Sequence, residues 1–359
     1  MSAVRPSAWN GSRRALKTLL PAAVLLLAEA GPGAAACLRG INLAGAEFGE
    51  PGGAYGESYI YPSKKTVNYF AGNGFDTVRL PFLWERLQPQ LGKDLDAAEL
   101  ERLKDSVGRM RAAGQTVILD PHNYGRYGDR IIGTPALPDS AFADFWQRLA
   151  KAFAGQDDVL FGLMNEPHDM DSGLWLKSVN ASLAAIRATG ANNLVLVPGV
   201  AWTGAHSWQA DVDGASNAST MIHVEDPTDN YAFEVHQYLD SNFSGTHKEC
   251  TRVDDAVAAI NDMTDWLRAN GKRGFLGEFG GSATTDCMIG LATMTQAVDE
   301  ASDVWIGWTY WAAGDWWPAE EPLNIQPTVD GDRLQMKALT RRASADKSAC
   351  PALAPPAGK

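Results

Sequence analysis

Eight short apolar runs recur along this chain, at 38–43, 77–81, 116–120, 159–164, 194–197, 231–235, 274–278 and 304–308. They lack the strict polar alternation of a strand with one wet face, the pattern expected of parallel strands buried on both sides. Between most of them lie stretches with apolar residues at helical spacing. In 96–113, Leu100, Leu103, Val107 and Met110 share one face, and Gly114 closes the stretch. The stretches 140–154, 173–189, 254–269 and 288–301 behave similarly, with Gly155, Gly190 and Gly271 as stops. Residues 199–229 hold Trp202, His206 and Trp208 in Ser/Asn/Gly/Asp-rich surroundings without a helical period, so a loop with at most a short helix is expected there. Eight strands alternating with helices predict an α/β fold, a single closed (β/α)8 TIM barrel.

The first 36 residues follow another pattern. Arg13, Arg14 and Lys17 precede an apolar stretch at 19–27, and Ala34-Ala35-Ala36 supplies small residues for cleavage. This reads as an export signal peptide rather than a membrane span. The twin arginines fit the twin-arginine route, with the Sec route as the alternative. Cys37 directly after Ala36 raises a lipid anchor, against which Ala34 stands where a leucine is expected. The organisation expected is therefore a signal at 1–36, a barrel domain at 37–350 and a short tail at 351–359, with no separate carbohydrate-binding module. Removing the signal takes the net charge from −12 to −15. A chain that negative lacks the basic footprint for nucleic acid or anionic lipid, and a neutral substrate suits it better. A secreted protein, extracellular or periplasmic and with no membrane attachment after signal removal, is the expectation, as a monomer.

The four cysteines, Cys37, Cys250, Cys287 and Cys350, are an even count in an exported chain, which favours disulfides. No Cys-x-x-Cys pair suggests a metal or redox site. Three connectivities are possible. Cys250–Cys287, flanking the seventh strand, and Cys37–Cys350, tying the two ends of a closed barrel, are favoured over free buried thiols.

In parallel barrels the chemistry sits on the rim formed by the strand C-termini. The residues ending these runs are polar: Arg79, His122-Asn123, Asn165-Glu166, His236 and Tyr238, Glu278, and then Trp311. Singly each has an ordinary explanation, since a strand-end arginine can be merely solvated and a lone histidine merely hydrogen-bonded. Gathered on one rim they make a site. Two of them, Glu166 in Leu163-Met164-Asn165-Glu166-Pro167 and Glu278 in Phe275-Leu276-Gly277-Glu278-Phe279, are carboxyls 112 positions apart delivered to the same edge. A pair of carboxyls in one cleft is the apparatus for breaking a glycosidic bond, one as proton donor and the other as nucleophile or base.

The ordered series Arg39-Gly40-Ile41-Asn42, Arg79-Leu80-Pro81, Leu119-Asp120-Pro121-His122-Asn123-Tyr124, Met164-Asn165-Glu166-Pro167-His168-Asp169, His236-Gln237-Tyr238-Leu239-Asp240 through Ser244-Gly245-Thr246-His247, and Gly277-Glu278-Phe279-Gly280-Gly281 resembles the endo-β-1,4-glucanases of glycoside hydrolase family 5, subfamily 5. The likeness runs from Leu38 to Trp317. It implies a retaining double displacement on cellulose and related β-glucans, with Glu166 as general acid/base and Glu278 as nucleophile, and no metal or cofactor. Arg79 would hold Glu278 ionised and Tyr238 would hydrogen-bond it. Glu166 would need a raised pKa to arrive protonated. By the same resemblance Asn165 grips the sugar 2-hydroxyl, His122 and His236 contact sugar or orient carboxylates, and Trp311 is the platform beside the cleaved bond. Twelve tryptophans exceed what a core of this size needs, and Trp202, Trp208, Trp316 and Trp317, in rim loops, are candidates for further sugar contacts. His168 and Asp169 acquire no chemical duty beyond loop support.

Three alternatives compete. The same chemistry could act on mannan, xyloglucan or mixed-linkage glucan. A metal-dependent amidohydrolase barrel could use Asp120, His122, His236 and Glu278, but its usual first-strand His-x-His is missing from Leu38-Arg39-Gly40-Ile41-Asn42-Leu43. A non-catalytic sugar-binding protein would have no use for a poised acid.

Overall fold

The computed structural model describes residues 1–3, 38–211, 214–340 and 350–353. Met1–Pro32 and Gly33–Lys359 are two separate units, and the barrel belongs to the second. The export signal and Cys37 fall outside the described residues, apart from residues 1–3. Among the described residues no helix is long and apolar enough to cross a membrane.

All eight expected strands form: β1 (Leu38–Leu43), β2 (Thr77–Phe82), β3 (Thr116–Pro121), β4 (Val159–Gly162), β5 (Val195–Pro198), β6 (Tyr231–His236), β7 (Gly274–Glu278) and β8 (Trp305–Ala313). Each pairs in parallel with its sequence neighbours, and β1 pairs with β8 to close the ring. Six long helices cover the outside: α1 (Lys64–Gly72), α2 (Ala97–Ala112), α3 (Asp139–Phe153), α4 (Ser172–Ala188), α5 (Val253–Asn270) and α6 (Thr285–Glu300). Sequence chemistry sets their ends. The side chains of Ser63, Asp96, Asp171 and Thr284 cap the first turns of α1, α2, α4 and α6, and Gly271 ends α5 in the left-handed conformation at φ 60°. After β5 come only short helical turns such as Ala201–Thr203 and Asn217–Thr220, as the missing periodicity predicted.

Side chains alternate across each strand, so half face the helices and half face the barrel axis. Val78 and Leu80 join the large outer core, while Arg79 between them points inward beside its register partner Ile118. Ile118, Leu160, Leu196, Ala232, Phe275 and Ile306 form a smaller apolar cluster that floors the barrel. Above that floor the inward residues become polar. The expected disulfide Cys250–Cys287 is present. The other expected pair, Cys37–Cys350, includes Cys37 and so lies outside the described residues.

Candidate active site

The barrel brings Glu166 and Glu278 together. One carboxylate oxygen of each, with a ring nitrogen of His236, lie within 4.8 Å of one another. Glu278 ends β7 and is buried. Glu166 lies beyond the end of β4, in a left-handed backbone conformation at φ 41°, and its side chain is partly open to solvent. Tyr124, Asp169, Ala201, Trp202 and Thr203, in the loops after β3, β4 and β5, share that conformation. Such backbone costs on the order of 1–3 kcal/mol per residue and clusters where a site dictates geometry.

Arg79 is the hub. Its guanidinium is wholly buried and lies 2.8 Å from Glu278 Oε1, 3.0 Å from Asp120 Oδ2 and 2.9 Å from Glu234 Oε1. It also donates to Asn42 Oδ1 at 3.0 Å and Asn165 Oδ1 at 2.9 Å. The contact of its Nε with Glu234 is an ion pair whose angle falls short of a hydrogen bond. Tyr238 donates its hydroxyl to Glu278 Oε2 at 2.7 Å. Burial, then the Glu278 charge, hold that phenol well above its ordinary pKa, so it stays a donor. Gly245 lets the following loop lie flat on the Tyr238 ring, since a Cβ there would come within 2.5 Å of it.

His236 is engaged on both sides, with Nδ1 2.7 Å from Glu166 Oε1 and Nε2 3.3 Å from Glu234 Oε1. Burial works against its charged form, but Glu278, Glu166 and Glu234 together outweigh burial and push its pKa up to about 10. His122 bonds Asp120 through Nδ1 at 2.8 Å and approaches Asn165 Nδ2 at 3.2 Å. Its ring stacks on Trp311 at 5.3 Å with the planes 13° apart.

Glu278 itself departs from expectation. Burial raises its carboxyl, and His236 and Arg79 offset this only in part, with Glu166 adding to the rise. Hydrogen bonding distinguishes the two carboxyls. Both oxygens of Glu278 already accept bonds, from Arg79 and Tyr238, whereas Glu166 has one, from His236. Glu166 therefore keeps one oxygen free to meet a substrate.

A cleft of about 530 Å³ opens beside Glu166, lined by Tyr124, Trp202, His206, Tyr238, Asn242 and Phe243 among others. Trp202 is half exposed and stacks on His168 at 4.5 Å, 8° from parallel, which gives His168 a tangible role under the ring. Trp208 corrects the sequence expectation. It is buried, its ring packs edge-on against Phe233 and Trp266, and no face is left for a sugar. Asn42, Glu47 and Glu234 were not singled out from sequence. Glu47 accepts the Gly45 N–H at 2.7 Å, and burial pushes its carboxyl up to about 7. Glu234 carried the clearest signal, an acid inside an apolar strand two residues before His236 and hence on the same side.

Glu166, His236 and Glu278 also have the spacing of metal ligands. Their chemistry suits a cation poorly. Each ring nitrogen of His236 already faces a carboxylate oxygen, and the Arg79 charge sits 2.8 Å from Glu278.

Comparison with known proteins gives one consistent family. Residues 32–314 match the model for cellulase, glycosyl hydrolase family 5. Endo-beta-1,4-glucanase A of Emericella nidulans is 39% identical over 314 residues, covering 86% of this chain and 93% of that one. The solved structure of the endo-beta-1,4-glucanase Xac0029 of Xanthomonas axonopodis pv. citri is 47% identical with a TM-score of 0.83, covering 86% of this chain and 98% of that one. The structure of XacCel5A with cellopentaose is 45% identical with a TM-score of 0.84, covering 85% and 99%.

Proposed function

We infer that this chain, which belongs to the cellulase family, glycosyl hydrolase family 5, is an endo-β-1,4-glucanase that cleaves internal bonds of cellulose and related β-glucans with retention of configuration. The observation that carries the retaining mechanism is the gap between Glu166 and Glu278. With an oxygen of each within 4.8 Å of the other, the pair suits the close carboxyls of a double displacement, roughly 5–5.5 Å apart, better than the wider gap of about 6.5–9.5 Å that an inverting enzyme keeps for its water.

In the first step a Glu278 oxygen attacks the anomeric carbon while Glu166 gives its proton to the glycosidic oxygen, and the shortened chain leaves as an alcohol. The glycosyl ester neutralises Glu278, so the pressure that kept a proton on Glu166 falls. Glu166 then takes a proton from water, the water oxygen attacks the same carbon, and the ester bond breaks to regenerate Glu278. Two inversions give net retention. In this reading Asn165 meets the sugar 2-hydroxyl and Trp311 offers a face to the ring, which the Arg79 bond to Asn165 and the His122 stack on Trp311 support.

Soluble β-1,4-glucan should release reducing ends as the β-anomer, seen by NMR before mutarotation, and Glu166→Gln and Glu278→Gln should abolish that release. Faster release from mannan or xyloglucan would move the substrate, an α-anomer first product would overturn the mechanism, and loss of activity on chelation alone would favour a metal hydrolase.

The same proposal places the enzyme outside the cytoplasm as a monomer. A polymer substrate cannot enter a cell, and the Cys250–Cys287 bridge needs an oxidising compartment. Mass spectrometry of protein exported by its host should find the mature chain starting at Cys37. Retention of Met1 in exported protein would sink the signal-peptide reading.

A further inference from the structure

Glu234 has no part in the scheme above, yet it is built tightly into the floor of the site. Its Oε1 lies 2.9 Å from Arg79 Nε and 3.3 Å from His236 Nε2, while Oε2 is shut from solvent without a partner. The space around it is closed, since a Cβ on Gly277 would come within 2.1 Å of Oε1. A carboxylate fixed in this way cannot swing to substrate, so whatever it does must pass through Arg79 or His236.

We propose that Glu234 is a positioning residue, the counter-ion on the inner nitrogen of His236 that keeps the imidazole doubly protonated, so that its Nδ1–H always donates to Glu166. A neutral imidazole has one N–H and can serve only one of the two carboxylates that face it. Serving both needs both protons. The other charged groups around the ring are Glu278 of β7, 3.5 Å from Nδ1, with Arg79 of β2 and Asp120 of β3. Tyr238 on the same strand is neutral, its hydroxyl held by Glu278. The charges of Glu234, Glu278 and Asp120 against one guanidinium favour the cation, in line with the rise of His236 to about 10.

The consequence for turnover rests on the glucanase reading. With its outer N–H fixed on Glu166 Oε1, His236 leaves Oε2 of that residue to carry the transferable proton. Once Glu278 is esterified, the imidazolium still sits beside Glu166 and favours the carboxylate that must accept a proton from water.

The test reads the His236 ring nitrogens by NMR in the wild type and in Glu234→Gln, alongside kinetics on cellopentaose. The wild-type ring should keep both protons through about pH 8, and in the variant it should lose one at least about 1.5 pH units lower. kcat should fall about 10–100-fold with KM within about threefold, as for other residues that orient a reacting group through a neighbour. Glu234→Asp, which keeps the charge, should restore the doubly protonated spectrum. A variant ring that still holds both protons at pH 8, or a wild-type ring already neutral at pH 6, overturns the proposal. If Glu234→Gln does not fold, the wild-type and Asp spectra decide alone. A wild type without activity on cellopentaose sinks the glucanase reading instead and leaves the ring spectrum to speak for itself.

Discussion

Glu278→Ala should lose roughly 10⁴-fold or more in kcat on cello-oligosaccharides, the scale seen when a nucleophile is removed. Glu166→Ala should lose about 10²–10⁴-fold, and much less on substrates whose leaving group needs no proton. Azide separates the two roles. In Glu278→Ala it fits the vacated space, attacks an activated β-glucoside from below and gives the α-glucosyl azide. In Glu166→Ala it attacks the glycosyl ester from above, without needing a base, and gives the β-glucosyl azide. Isolation of the opposite anomers would exchange the roles of the two residues. The expectation follows from the hydrogen bonds: a carboxyl with Arg79 on one oxygen and Tyr238 on the other is held and aimed, and a more open one bonded only to His236 is free to meet the leaving oxygen.

Arg79→Met should destabilise the fold by about 3–5 kcal/mol near neutral pH, because Asp120, Glu234 and Glu278 would be left buried around an apolar stem. The loss should depend on pH with a definite sign. In the native protein burial alone would raise Asp120, but Arg79 and His122 outweigh it and hold its carboxyl below the ordinary value. That contribution is present above the unfolded pKa near 4 and is lost as acid protonates the folded carboxylate. Without the guanidinium the same carboxyls lie above their unfolded values. Their contribution is then present below about pH 4 and vanishes as pH rises through the folded values. Denaturation midpoints of variant and wild type should therefore converge between about pH 7 and pH 4. A gap that stays constant would mean that Arg79 acts through packing alone.

The barrel was legible because its strands are short, continuous apolar runs, and the ends of those runs already named the acid pair. Boundaries were less legible. β4 stops at Gly162, ahead of the expected 164, and β8 continues to Ala313, so Trp311 lies within the strand rather than beyond it. Helix α1 was missed because Lys64–Gly72 buries only Thr66, Val67 and Phe70, too few for a visible stripe, although Ser63 offered its cap. The hairpin strands Arg126–Tyr127 and Arg130–Ile131 are two residues each, below any periodicity. Trp208 misled for a physical reason. A large ring in a polar loop can fold back on Phe233 and Trp266 as readily as it can face a ligand, and local sequence does not distinguish these. Glu234 and Asn42 are less legible because they sit within strands, one layer below the rim, where the charge network continues.

The left-handed residues on the rim carry a lesson for anyone seeking a hardier catalyst. Glycine at Ala201 or Thr203 would relax the chain locally, yet the loop that bears Trp202 would then wander, so ruggedness gained there is traded against aim. The outer helices bear no such tension. Endurance and turnover can be improved separately in this molecule only by leaving the rim taut and reworking the shell.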